Sequence, residues 1–168
     1  ADATVTLTED TSHTLTTANF GFGDVDAGDS LSAVRIDTIP IAGTLTLSGV
    51  AVAPNQVIAG ADITAGNLVF TPAANANGTG YASFTFSVRD SNNAYDTAPN
   101  TLTVNVTAVN DAPINTVPGA QTVAVDTPLA ISGLLVSDID GNLTTVQLSV
   151  TSGTVAVSLS GGATISSG

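Results

Sequence analysis

Two stretches of the chain alternate apolar and polar side chains residue by residue, and this period of two restricts the fold more than any other feature. Residues 82–89 (ASFTFSVR) and 102–108 (LTVNVTA) carry an apolar side chain at every second position. Such alternation is typical of β-strands that bury one face. Shorter runs of the same kind start at Val5, Leu45 and Val155. No stretch sustains the apolar spacing of a helix, so the chain is predicted to be all-β.

Clusters of turn-forming residues separate these runs. Asn77-Gly78-Thr79-Gly80 precedes the first alternating stretch, and Ser91-Asn92-Asn93 follows it. Gly and Asn favour turns because they adopt backbone conformations that other residues resist. Strands that recur about every 10 to 15 residues with turns between them are typical of an antiparallel β-sandwich.

The two ends of the chain resemble each other, which indicates an internal repeat. Four landmarks recur at shifts of 109, 116, 114 and 110 residues: Asp2-Ala3 at Asp111-Ala112, Asp10-Thr11 at Asp126-Thr127, Asp24-Val25-Asp26 at Asp138-Ile139-Asp140, and Gly43-Thr44-Leu45 at Gly153-Thr154-Val155. A nearly constant shift predicts one repeat over residues 1–110, a linker over 109–113 and a second repeat over 111–168. A sandwich needs about 100 residues, so the second repeat is expected to hold only its first half.

Charge and composition exclude several classes of function. The net charge is −12, with no Lys and only Arg35 and Arg89 as permanent cations, so a nucleic-acid partner is not expected. The apolar runs are far shorter than the roughly 20 residues that span a bilayer, and no membrane insertion is expected. There is no Cys and a single His, His13, so neither thiol chemistry nor the usual zinc site is available. No Gly-x-Ser-x-Gly elbow is present, and no enzyme activity is predicted.

Several short motifs together resemble the cadherin-like, immunoglobulin-like tandem repeats of large bacterial surface adhesins. They are Val109-Asn110-Asp111-Ala112-Pro113, Glu9-Asp10-Thr11, Leu68-Val69-Phe70-Thr71-Pro72, and Phe84-Thr85-Phe86-Ser87-Val88-Arg89-Asp90. The resemblance implies a sandwich repeated head to tail, with calcium at each junction. It also implies an extracellular, cell-surface spacer or adhesion module. Its partners would be neighbouring repeats or chains, together with a cell-surface or matrix ligand.

Aspartates are crowded in GFGDVDAGDS (residues 21–30), which holds Asp24, Asp26 and Asp29. Crowded carboxylates repel one another unless a cation neutralises them, and calcium takes six to eight oxygen ligands. The resemblance implies one site where Asp24, Asp26 and Asp90 face Asp2. It implies a second site where Glu9, Asn110 and Asp111 meet Asp138 and Asp140.

Chain length between the acidic residues agrees with the second site. Asp138 and Asp140 lie 27 and 29 residues after Asp111, which is enough for one strand, a turn and a returning strand. An EF-hand starting at Asp24 fails, because its sixth residue is Asp29 instead of Gly and its twelfth is Arg35 instead of Glu.

Each acidic residue also has a simpler interpretation. Glu9, the only Glu, is either a ligand or a charge that protects an edge strand from aggregation. Asp10 is as well explained by a turn-closing hydrogen bond, and Asp29 by a turn or a cap. Asp37, Asp62 and Asp96 belong to no repeated pattern and are expected at the surface.

The sequence therefore predicts a calcium-rigidified structural or adhesion module. Two alternatives stay open. One is a carbohydrate-binding adhesin module, for which Tyr81 and Tyr95 are the only aromatic side chains of the kind that grip sugars. The other is a subunit of an extracellular filament, in which strands donated by a neighbouring chain complete the half repeat.

Overall fold

The alternating stretches form the two longest strands of the computed structural model, which describes residues 1–23, 25 and 28–158. The chain divides into two units, residues 1–110 and 111–168. In chain order the first unit contains β1 (Ala3–Thr8), β2 (His13–Thr14), a 3-10 helix (Thr17–Phe20), β3 (Ala33–Ile36), β4 (Thr44–Leu47), β5 (Val50–Ala51), β6 (Gln56–Ala59), α1 (Gly60–Thr64), β7 (Leu68–Thr71), β8 (Gly78–Arg89) and β9 (Asn100–Thr107).

Two sheets form the layers of a sandwich in the first unit. The five-stranded sheet has the order β1-β9-β8-β3-β6, and the four-stranded sheet has the order β2-β7-β4-β5. Among the described strands, all pairs are antiparallel except one: β1 runs parallel to β9, with Ala3 beside Leu102 and Thr8 beside Thr107. The predicted all-β, immunoglobulin-like sandwich is confirmed, with this parallel edge as an exception to its antiparallel pairing.

The core lies between the two sheets and draws on the inward positions of the alternating strands. Phe84 and Phe86 of β8 and Leu102 and Val104 of β9 are almost completely buried. Phe20 of the 3-10 helix meets Phe86 edge to face, with ring centroids 5.0 Å apart. Such an aromatic pair contributes about 0.5–1.5 kcal/mol beyond the burial of its area. The core therefore fixes β1 and β8, which are followed directly by Glu9 and Asp90.

The turn predicted at residues 77–80 is wrong in part, because β8 already begins at Gly78. The β8–β9 register shifts between Gly78 and Ala82, which marks a bulge or irregularity. Gly78 and Gly80 both have positive φ, and the Gly80 N–H donates to Asn105 Oδ1 at 2.7 Å. Glycine tolerates these backbone angles, so the strand continues through the shift in register. The turn predicted after β8 at residues 91–93 is present.

The second unit has little regular structure in its described residues. β10 (Ile114–Thr116) and β11 (Leu135–Ser137) form an antiparallel two-stranded sheet. The strand expected from Val155 onward is wrong as far as residue 158, because residues 154–158 form no strand. No neighbouring strand pairs with this stretch in the described part of the chain, and a single strand is not stable alone. Leu159, which continues the pattern, lies outside the described residues.

None of the helices in the described part of the chain has the length and apolar character needed to cross a membrane.

Candidate metal centre

Glu9 is a buried carboxylate at the end of β1. Its side chain is 2 % exposed. Oε1 accepts a hydrogen bond from the Val109 N–H at 2.7 Å, and Oε2 accepts one from Asn77 Nδ2 at 2.9 Å. Buried charged groups are rare unless they are paired or hydrogen-bonded. The interpretation of Glu9 as an exposed charge on an edge strand is therefore wrong.

The parallel pairing of β1 with β9 places Glu9 against the chain that leaves the first unit. The ladder continues past Thr8, because the Glu9 N–H donates to the Thr107 carbonyl at 2.9 Å. This bond aligns the side chain with Val109, whose N–H it accepts. Asn110, which follows, is exposed and is the last residue of the first unit. The carboxylate thus lies where the first unit ends.

Three predicted ligands come together within the second unit. The Asp111 N–H donates to Asp140 Oδ2 at 2.7 Å, and the Asp140 N–H donates to Asp138 Oδ1 at 3.0 Å. The nearest carboxylate oxygens of Asp111 and Asp140 lie within 4.8 Å of each other. Backbone amides therefore hold three like charges in one small region. Oxygen atoms of this kind are the ligands that calcium prefers.

The predicted ligands at the opposite pole are engaged in turns and strand ends. Asp2, just before β1, accepts a hydrogen bond from the Thr101 N–H through Oδ1 at 2.7 Å. Asp90, just after β8, is 8 % exposed and accepts from the Ala94 N–H through Oδ1 at 2.8 Å. Among the described residues, no group of three acidic side chains that could hold an ion forms around these two. Asp24 and Asp26, the other predicted ligands there, lie outside the described residues.

Some acidic residues have partners that the sequence did not suggest. A side-chain partner of Glu9 is Asn77, which donates a hydrogen bond to it. The sequence predicts a turn at Asn77 and does not indicate this contact. Asp29 accepts from Ser91 Oγ at 2.7 Å and from Asn92 Nδ2 at 2.8 Å, across 62 and 63 residues of sequence. It therefore ties two loops together through contacts distant in sequence, which is neither the local turn nor the cap expected for it. Asp10 has φ of 59° and accepts from the Asn75 N–H.

The two arginines of the chain both pack against the ring of Tyr95. Arg35 and Arg89 lie 4.8 Å and 5.8 Å from the centroid of the Tyr95 ring. Arg35 donates to Asp37, which also accepts from Ser87 Oγ. The hydrogen bond to Asp37 and its charge raise the pKa of Arg35 against the opposing effect of burial. Asp37 is half-buried in this network, which corrects its placement at the surface.

Asp96 and Asp62 also differ from plain surface residues. Asp96 is half-buried and accepts a hydrogen bond from Asn100 Nδ2 at 2.6 Å. Asp62 is half-buried in α1 and accepts from Asn67 Nδ2 at 3.4 Å. Both side chains are held by hydrogen bonds to an asparagine four or five residues further along the chain. Neither contact belongs to a repeated pattern in the sequence, so neither could be predicted.

Two packed sheets, the parallel β1–β9 edge and acidic residues at the poles define the first unit as an immunoglobulin-like domain. A family model described as "Bacterial Ig domain" matches residues 1–107, and the chain belongs to that family. The predicted immunoglobulin-like repeat of bacterial surface proteins is confirmed. Neither the curated proteins nor the solved structures contain a match to this chain. Domains of this family are non-enzymatic structural modules and usually occur in surface proteins.

Proposed function

We propose that this chain is an extracellular structural module of a bacterial surface protein, in which calcium bound where two immunoglobulin-like units join makes the junction rigid. Neighbouring repeats are its first partners, and adhesion to a cell-surface or matrix ligand is the role of the assembled string. Membership in the bacterial Ig family supports the structural part of this proposal.

The observation that carries the calcium part is the burial of Glu9. An anionic carboxylate that is 2 % exposed has two hydrogen-bond donors, Val109 N–H and Asn77 Nδ2, and both are neutral. An ionised carboxylate offers about four acceptor positions, so the two hydrogen bonds leave capacity for a cation. The chain has no Lys, and both arginines pack against Tyr95 instead. A divalent ion is the partner that suits this charge best.

The covalent chain links Glu9 to the acidic group of the second unit. Val109, which donates to Glu9, lies two residues before Asp111. Successive Cα atoms are 3.8 Å apart, so the Cα of Asp111 lies within about 7.6 Å of the Cα of Val109. Asp111 is in turn hydrogen-bonded to Asp140, and Asp140 to Asp138. We therefore assign Glu9, Asn110, Asp111, Asp138 and Asp140 as the ligand set of the proposed site.

Linkage explains how an ion would make the junction rigid. Carboxylates supplied by two units repel each other without a cation, and the linker then allows many orientations. An ion that binds only one arrangement stabilises that arrangement in proportion to the logarithm of its concentration over Kd. Stiffness would then follow the calcium level outside the cell.

A second site of the same kind is proposed at the opposite pole of the first unit. Asp90 is buried there, and Asp2 lies just before β1. Asp24 and Asp26 would complete the ligand set with oxygen from a preceding repeat. The carbohydrate-binding alternative receives no support from the aromatic residues. Tyr81 Oη accepts from the Ala73 N–H and Tyr95 packs against both arginines, so both tyrosines have roles within the domain.

Calorimetric titration of calcium into metal-stripped chain tests the proposal, with magnesium as the competing ion. Asp140→Asn keeps an oxygen to accept the Asp111 N–H but removes one charge, and we expect calcium to bind at least tenfold more weakly, which is about 1.4 kcal/mol. Asp126→Asn is the matched control, because it removes the same charge from the same unit outside the ligand set. Equal affinity in both variants, or no saturable calcium binding to the unaltered chain, would refute the proposed site.

A further inference from the structure

Asn77 is the one asparagine of the chain that is followed by glycine. The backbone nitrogen of the next residue can attack the side-chain carbonyl carbon of an asparagine, and a Cβ on that next residue hinders the approach. Glycine has no Cβ and allows its backbone the greatest freedom. Asn77 is therefore the position where the sequence favours deamidation most strongly.

The fold leaves this pair accessible to solvent. Asn77 is exposed and lies in the loop just before β8, which begins at Gly78. Apart from the two chain neighbours of Gly78, no atom of the described residues lies within 4 Å of the place that a Cβ on it would take. The continuous ladder of β8 with β9 starts only at Ala82, after the shift in register. The backbone beside the Asn77 carboxamide is thus not held in a regular ladder.

Asn77 also contacts a group that responds strongly to a change of charge. Its Nδ2 donates to Oε2 of Glu9 at 2.9 Å, and Glu9 is 2 % exposed. Deamidation replaces this neutral donor by an anionic oxygen, so the buried carboxylate loses a donor and meets a like charge, which is unfavourable. A divalent cation restores the balance, because two oxygens that are each about 2.3–2.6 Å from one calcium ion can lie about 2.9 Å apart.

We infer that Asn77 is a self-modification site, at which deamidation gives the end of the first unit a second carboxylate beside Glu9. In the first step the Gly78 nitrogen bonds to Cγ of Asn77 and gives up its proton, and the Cγ–Nδ2 bond breaks to release ammonia. Water then opens the five-membered ring and leaves a carboxylate, on aspartate or on its isomer isoaspartate. In sum, one amide and one water become one carboxylate and one ammonium ion.

Mass spectrometry of the whole chain tests the modification, after the protein has aged in chelator at mildly alkaline pH and has been cut into pepsin peptides. The internal reference is Asn92, which is exposed and donates its Nδ2 to the Asp29 carboxylate but is followed by Asn93. We expect Asn77 to convert at least about tenfold faster than Asn92, because only Asn77 has glycine after it. Conversion of Asn77 no faster than that of Asn92 would overturn the inference.

Asn77→Asp reproduces one product and measures its effect. In chelator its melting temperature should fall by at least about 4 °C, since Glu9 loses a donor and faces a like charge. Saturating calcium should cancel this fall, and the variant should bind calcium at least about tenfold more tightly than the unaltered chain, because the site gains a charged ligand. Asn55→Asp, an exposed change that adds the same charge elsewhere in the first unit, is the control.

The calcium part of this inference rests on the proposed function, whereas the modification does not, and the outcomes separate the two. Absence of calcium binding in both the unaltered chain and Asn77→Asp would refute the proposed site, and the modification would still be judged by its rate. Calcium binding that is no tighter in Asn77→Asp than in the unaltered chain would overturn the second carboxylate as a ligand. An unchanged melting temperature of Asn77→Asp in chelator would overturn the predicted effect on Glu9.

Discussion

Replacing Glu9 by Ala tests how much the buried carboxylate contributes to the first unit. The substitution removes two hydrogen bonds to a charged acceptor, one from Val109 N–H and one from Asn77 Nδ2. Each such bond contributes about 1.5–3 kcal/mol, and water can replace part of this at Val109, which is exposed. We therefore expect a loss of about 3 kcal/mol in the free energy of unfolding.

Thermal denaturation followed by circular dichroism measures this loss. For a domain of about 100 residues, 1 kcal/mol lowers Tm by about 4–8 °C, so the melting temperature should fall by roughly 12–24 °C in the presence of a chelator. Glu9→Gln should cost much less, because its amide oxygen accepts from Val109 and the Asn77 amide can rotate to accept from its NH2 group. Thr6→Ala, an exposed change on β1, is the control.

The contrast between the two Glu9 variants separates stability from calcium binding. Glu9→Gln should leave the fold nearly intact but weaken calcium binding, since the negative charge is gone. An unchanged melting temperature in Glu9→Ala would refute the structural reasoning. Calcium affinity that is unchanged in Glu9→Gln would instead remove Glu9 from the ligand set.

Three further predictions concern the first unit. Gly43→Ala should destabilise it by more than about 1 kcal/mol, because a Cβ at φ of 70° would lie 2.6 Å from Phe70 Cζ, and urea denaturation would detect this. Phe86→Ala should cost about 3–5 kcal/mol by the same assay, because the ring is fully buried in the core. Arg35→Met should cost only about 1 kcal/mol, since the half-buried Asp37 keeps Ser87 as a donor, and a loss above 3 kcal/mol would contradict this.

The strand content could be predicted from the sequence because alternation reports burial directly. Ala82, Phe84 and Phe86 follow a period of two, and β8 buries these three positions. The parallel β1–β9 edge could not be predicted, because alternation says which face a strand buries and nothing about its neighbour. The shift in register between Gly78 and Ala82 could not be predicted for a related reason, since glycine occurs both in turns and in irregular strands.

The sequence indicated which acidic residues form the candidate site, but most of the contacts that these residues make could not be predicted. Repetition of Asp-x-Asp at Asp138 and Asp140 marked the acidic group, which backbone amides hold together in the second unit. The burial of Glu9 depends on Asn77 and on the strand pairing that aligns it with Val109. These contacts join residues 68 and 100 positions apart, and no local pattern encodes such distances.

The distance distribution between the two units, measured by pulsed electron paramagnetic resonance, tests the central proposal most directly. The chain has no Cys, so spin labels at Ala51→Cys and Thr144→Cys, both exposed positions, report only on the intended pair. Calcium should convert a broad distribution into a narrow one, magnesium at equal concentration should not, and Asp140→Asn should stay broad in calcium. An identical distribution with and without calcium in the unaltered chain would contradict calcium-dependent rigidity.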